Sequence, residues 1–146
     1  MTLDNILEEI NNANKIVILT HENPDGDAIG SSLGLYNALK SMGKNPDIII
    51  PEYSRIFKFL AGADEIKTES DIENYDLAIA VDCASIKLLN GFAKYFEGAK
   101  VKINIDHHST NMMFGDYNYV NPDAPAAAQV VLVILQYFAV EITKEI

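Results

Sequence analysis

Three short stretches of the chain carry residue types that bind metal ions and move protons. The first is His21-Glu22-Asn23-Pro24-Asp25-Gly26-Asp27, which follows the β-branched run at 15–20. The second is Asp82, which ends the run DLAIAVD. The third is Asp106-His107-His108, which ends the run VKINID. Carboxylate oxygen and imidazole nitrogen together suit Mn, Fe, Co or Zn better than Mg, which prefers oxygen and water.

Each stretch alone has a plainer explanation. Asp25 and Gly26 suit a turn, and Asp27 suits a cap for the helix that follows. Asp82 also suits a cap, although a carboxylate after AIAV costs desolvation unless it is paired or bound to metal. Cys83 reads as a small buried hydrophobe. Adjacent residues on an extended strand point to opposite faces, so two of residues 106–108 reach one site only at a strand end or turn. Three separate segments delivering such residues to one place is harder to explain by chance.

The elements that must position them alternate. Residues 3–13 read as a helix, with Leu3, Ile6, Leu7 and Ile10 at helical spacing. Residues 15–20, 46–51, 76–82 and 101–106 read as strands. Residues 28–42, 54–60, 86–96 and 124–140 read as helices, with Gly43 and Gly98 closing two of them. Buried β-branched strands alternating with helices predict an α/β fold, a parallel sheet with helices on both faces. Ligands in such sheets sit beyond the carboxyl ends of the strands, where the three clusters fall.

Two ligand shells sharing one acid hold two cations ~3.5–4 Å apart, which acidify a water and steady a leaving oxygen. A helix starting near Ala28 would offer free amides around Gly30 and Ser31 to a phosphate. Gly30 would let the backbone come close. The reaction class that fits is hydrolysis of a phosphate ester or anhydride.

Composition narrows the partners. The chain has 146 residues and a formal charge of −10, with Arg55 its only arginine. A long DNA or RNA track needs clustered cations; a small anionic substrate does not, because bound metal reverses the local field. Arg55 and Lys58 read as solvated helix residues, and Asn23 as a turn former. The scattered tyrosines form no stacking platform. The apolar run from Val130 is too short to span a membrane and is interrupted by Gln129 and Gln136. A single cysteine and no secretory signal in the first residues point to the cytoplasm.

His21-x-x-Pro24-Asp25-x-Asp27-Ala28-x-Gly30-Ser31, then Val81-Asp82, then Asp106-His107-His108, resembles the ordered motifs of the DHH phosphoesterases. Phe59-Leu60-Ala61-Gly62-Ala63, Phe114-Gly115-Asp116 and Tyr119-Val120-Asn121-Pro122 are similar too, so the resemblance covers nearly the whole chain. It implies a Rossmann-like DHH domain over residues 1–146. Within the family the pattern is most similar to the oligoribonuclease and 3′-phosphoadenosine 5′-phosphate phosphatase group. That implies cleavage of very short RNA or of the bisphosphate nucleotide, with two Mn2+ ions and with Mg2+, Co2+ or Fe2+ as alternatives. By this resemblance His21 and Asp25 bind one metal, Asp27 and His107 the other, and Asp82 bridges them. His108 faces the substrate phosphate, and Asp106 orients the histidines.

The pattern departs from the family in two places. Residues 124–129 are Ala-Pro-Ala-Ala-Ala-Gln, where the group has small hydroxyl residues and a Glu. The family's Asp-Thr-Gly and its C-terminal substrate-binding domain are absent, so the chain reads as a fragment. A helix as apolar as 130–140 then needs a cover, which predicts a homo-oligomer. Two other functions stay open. One is a pyrophosphate or cyclic-dinucleotide hydrolase with the same metal core. The other is a non-catalytic domain that binds metal or nucleotide as a regulator.

Overall fold

The computed structural model describes residues 2–146. Five strands form one sheet: β1 (Ile16–Thr20), β2 (Asp47–Ile48), β3 (Leu77–Val81), β4 (Val101–Asp106) and β5 (Tyr117–Val120). Their order is β2-β1-β3-β4-β5 and every pairing is parallel. Four α-helices accompany them: α1 (Thr2–Asn12), α2 (Gly26–Ser41), α3 (Ala93–Glu97) and α4 (Ala127–Tyr137).

Side-chain alternation in β3 sorts the helices. Leu77, Ile79 and Val81 face one way and join a core with α1, α2 and α4. Ala78 and Ala80 face the other way, beneath Tyr95 and Phe96 of α3. Bulky aliphatics meet three helices on one face; two alanines leave room for aromatic rings on the other. Helices thus cover both faces, as the alternating pattern predicts.

Several boundaries differ from expectation. The second strand shrinks to two residues, followed by an isolated bridge from Ile49 to Lys67. The helix expected over 86–96 is a 3₁₀ segment, Ile86–Phe92, followed by the short α3. The break is Asn90, at φ 49° and ψ −128°. Residues 55–57 form one 3₁₀ turn. The last helix runs only from Ala127 to Tyr137. Its inner face buries Val130, Val131, Ile134 and Leu135. Leu132, Val133 and Tyr137 are 38–44% exposed on the outside, so the apolar run is half covered by its own domain. No helix among the described residues is long and apolar enough to cross a membrane.

The turn between β4 and β5 depends on a glycine. A Cβ on Gly115 would lie 2.8 Å from the Tyr117 carbonyl oxygen and 3.0 Å from the Asn104 amide nitrogen. Both are backbone atoms and neither yields easily. Gly115→Ala is expected to cost about 1–3 kcal/mol, the usual range for overpacking, read as a lower urea midpoint with an unchanged slope.

Candidate metal centre

Strand order reverses at β1: the chain leaves it for β2 on one side, then crosses back from β2 to β3 on the other. Open parallel sheets bind ligands at such a point, outside the carboxyl ends of the strands. His21 and Asp25 follow β1, Asp82 follows β3, and His107 and His108 follow β4.

Asp82 is the centre of the group. Its backbone sits at φ 55°, a left-handed conformation that Asp tolerates better than most residues. It is 2% exposed, and among the described residues its Oδ1 has no hydrogen-bond partner. His21 Nε2 lies 3.5 Å from Asp82 Oδ2. His107 Nε2 lies 3.4 Å from Asp82 Oδ1 and 3.6 Å from Asp27 Oδ2. His108 Nδ1 lies 3.8 Å from Asp82 Oδ1. These gaps are long for hydrogen bonds. The 3.4 and 3.5 Å gaps match the roughly 3.0–3.5 Å that separates two donors each about 2.1 Å from one ion; the gaps from His107 to Asp27 and from His108 to Asp82 are wider.

The three rings present the same nitrogen. His21 Nδ1 donates to the Glu22 carbonyl (2.6 Å) and His107 Nδ1 to the Ala124 carbonyl (3.2 Å). His108 Nδ1 donates to Asp106 Oδ1 (2.7 Å). Carbonyls and carboxylates only accept, so Nδ1 carries a proton in each case, and Nε2 is the nitrogen open to a metal once the ring is neutral. Metal-binding histidines are held in the same way, by an acceptor on the other nitrogen. Two groups of donors lie close enough to hold an ion: His21, Asp25 and Asp82, and Asp82, Asp106, His107 and His108. They share Asp82. Asp106 is already engaged by His108 and by Asn111, so its oxygens are the less available ones.

Both acids of the first loop also cap helices. Asp25 is the N-cap of α2 and accepts from the Ala28 amide (2.9 Å). Asp27 caps α4 rather than the helix it stands on, accepting from the amides of Ala127 (2.9 Å) and Ala128 (3.0 Å). The Ala-rich stretch therefore reaches the centre through its backbone: the Ala124 carbonyl to His107, and two amides to Asp27.

Gly30 and Ser31 are placed differently from expectation. Helix α2 begins at Gly26, so their amides lie one turn inside it and pair with carbonyls four residues back. The buried Ser31 hydroxyl donates to the Asp27 carbonyl (2.6 Å). The earlier start leaves no free amide at either residue. Arg55 and Lys58 are exposed. Cys83 is buried, and burial pushes its thiol up to about 12. Asn104 and Asn111 were not expected near the centre; a carboxamide in the middle of the apolar run VKINID was the available signal.

Charge follows the geometry. The Asp82 carboxylate holds the His21 imidazole up at about 9, against a smaller opposing effect of burial. Burial raises Asp82 itself. Both shifts express one fact, a buried carboxylate seeking positive charge. Below about 6.5 His21 is charged in the folded and the unfolded chain, and its stabilisation is complete; it disappears as pH rises through about 9. In chelator, urea unfolding should therefore show stability falling between those two values. His21→Asn should flatten that fall, and an unchanged slope in the variant would assign it elsewhere.

Comparison with known proteins identifies the class. The family model described as the DHH family, N-terminal domain, matches residues 15–146, and the chain belongs to that family. Among curated relatives, the bifunctional oligoribonuclease and PAP phosphatase NrnA of Thermus thermophilus is 40% identical over 132 residues, 90% of this chain and 39% of that protein. The protein of the same name from Bacillus subtilis is 31% identical over 121 residues, 80% of this chain and 36% of that one. The chain thus spans about two fifths of the length of these relatives. A solved exopolyphosphatase-related protein from Bacteroides fragilis superposes with a TM-score of 0.89 at 29% identity, covering 99% of this chain and 46% of its own. Exonuclease RecJ bound to manganese shares the fold, with a TM-score of 0.57 at 18% identity over 97% of this chain and 38% of its own.

Proposed function

We propose that residues 1–146 form the metal-binding catalytic domain of a cytoplasmic phosphoesterase. Its substrates are short oligoribonucleotides or 3′-phosphoadenosine 5′-phosphate. The observation that carries this reading is Asp82, a buried carboxylate with an unpartnered oxygen, faced by three imidazoles. The names of the NrnA relatives support the substrate class.

In this reading His21 and Asp25 hold one ion, Asp27 and His107 a second, and Asp82 both. Mn2+ suits the mixed oxygen and nitrogen donors. Two bound divalent ions would supply an acidified water and charge neutralisation at the leaving oxygen. The protein's own part is orientation. Carbonyls of Glu22 and Ala124 fix His21 and His107, and Asp106 fixes His108, which would face the substrate phosphate as an Nε2–H donor in its protonated form. The negative chain lacks the cations for a long nucleic acid track, which favours short substrates.

Phosphate or nucleotide release from the bisphosphate nucleotide, a dinucleotide RNA and pyrophosphate, with added Mn2+, tests the reading. Release from the first two is expected. Release from pyrophosphate alone would favour the anhydride hydrolase. Two bound ions with no turnover on any substrate by the full-length protein would favour a non-catalytic regulator. Leu132, Val133 and Tyr137 on the outside of α4 support self-association of the chain, and a monomeric mass in light scattering across concentrations would count against it.

A further inference from the structure

We propose that Asn104 and Asn111 are positioning residues that lock Asp82 and the Asp106–His108 pair into a single unit. The proposal rests on the reading of Asp82 as the shared metal ligand.

Asn104 is fully buried in β4, in register with Ala80 of β3. Its carboxamide donates to the carbonyls of Ala80 (3.2 Å) and Cys83 (3.0 Å). These two carbonyls flank Asp82, whose left-handed turn breaks the strand there. The Asp82 amide donates to the Ile105 carbonyl (2.9 Å), so the turn is held from β4 at three points. Leu in place of Asn104 would fill the space and hold neither carbonyl. Asp would bring acceptors where two donors are needed.

The same side chain reaches the third cluster. Asn104 Oδ1 accepts from Asn111 Nδ2 (2.8 Å), and Asn111 Nδ2 also donates to Asp106 Oδ2 (2.7 Å). Asn111 Oδ1 accepts from the Met113 amide (2.6 Å), which fixes the orientation of that carboxamide. Asp106 is thereby turned so that Oδ1 meets His108 Nδ1. An unbroken chain of hydrogen bonds runs from the carbonyls beside Asp82, through Asn104, Asn111 and Asp106, to the His108 ring. Residues from two strand ends are set by one pair of carboxamides. Asn104 and Asp106 are fully buried in this network, so losing one member leaves buried polar groups unpaired.

The test compares Asn104→Leu and the milder Asn111→Ala with Tyr75→Phe in the same chain. Tyr75 is buried at the opposite end of β3, where its hydroxyl donates to Asp47 (2.7 Å), so that variant reports destabilisation alone. Mn2+ is titrated by calorimetry, and bound Mn2+ is followed by electron paramagnetic resonance. Both asparagine variants are expected to bind Mn2+ about 10–100-fold more weakly, the usual cost of losing a group that orients a ligand. Their resonance spectrum should change, while Tyr75→Phe retains affinity and spectrum. Asparagine variants that match Tyr75→Phe in both would overturn the proposal. If the parent chain binds no Mn2+, the metal reading fails on its own. The proposal is then decided by the Asp82 and Cys83 amide resonances, which Asn104→Leu should move and which, unmoved, would overturn it.

Discussion

Asp82→Asn is expected to remove metal binding at both groups together, taking the Mn2+ stoichiometry from two to zero. Asn has the shape of Asp and tolerates the left-handed backbone at this position, so the fold is not the variable. What is lost is the charge and one anionic oxygen. His21 Nε2 faces Asp82 Oδ2, and His107 Nε2 faces Asp82 Oδ1, so each oxygen serves a different group. Asp82 is the one carboxylate that the two groups share, beside Asp25 in the first and Asp106 in the second. Hydrolysis should fall by at least about 10³-fold, on the scale of losing a principal group that stabilises transition-state charge. In the metal-free variant His21 should titrate nearer its ordinary value, because the carboxylate that raises it is gone. Calorimetry with Mn2+ decides the point: one retained ion of undiminished affinity would reject bridging.

The parts of this centre that the sequence declared are those made by local chemistry. The three strand ends were legible because IVILT, LAIAV and VKINID are short, apolar and β-rich, and each is followed at once by acids or imidazoles. Strand β5 was not legible. YNYV is only partly buried at the sheet edge, so neither an apolar run nor a clean alternation marks it. The break at Asn90-Gly91 was missed because apolar spacing on both sides still fits one helix. The roles of Asp25 and Asp27 show the same limit. Asp25 caps the helix next to it, the task that the loop pattern assigns to Asp27. Asp27 caps a helix a hundred positions away, a choice made by tertiary packing and invisible to spacing. Asn104 belongs to the same class: its partners flank a turn in a neighbouring strand.

Asp27→Ala is therefore expected to have two separable effects. The first concerns the fold and needs no metal. Helix α4 has Ala126 at its N-cap, which offers no side-chain acceptor, and Asp27 takes that place from across the domain. Losing a cap costs about 0.5–2 kcal/mol, which in a chain of this size lowers Tm by very roughly 2–8 °C. The second concerns metal. Asp27 Oδ2 lies 3.6 Å from His107 Nε2, so one group should lose its ion while His21, Asp25 and Asp82 keep theirs. A carboxylate has lone pairs enough to accept two amides and still face a cation, so the two tasks do not compete. Asp27→Asn separates them, because it retains one carbonyl oxygen for the cap but no charge for an ion. It should unfold between Ala and wild type in urea, yet bind one Mn2+ as Ala does. Two ions bound by Asp27→Asn would leave Asp27 a cap alone, and would return the second metal group to Asp82, His107 and His108.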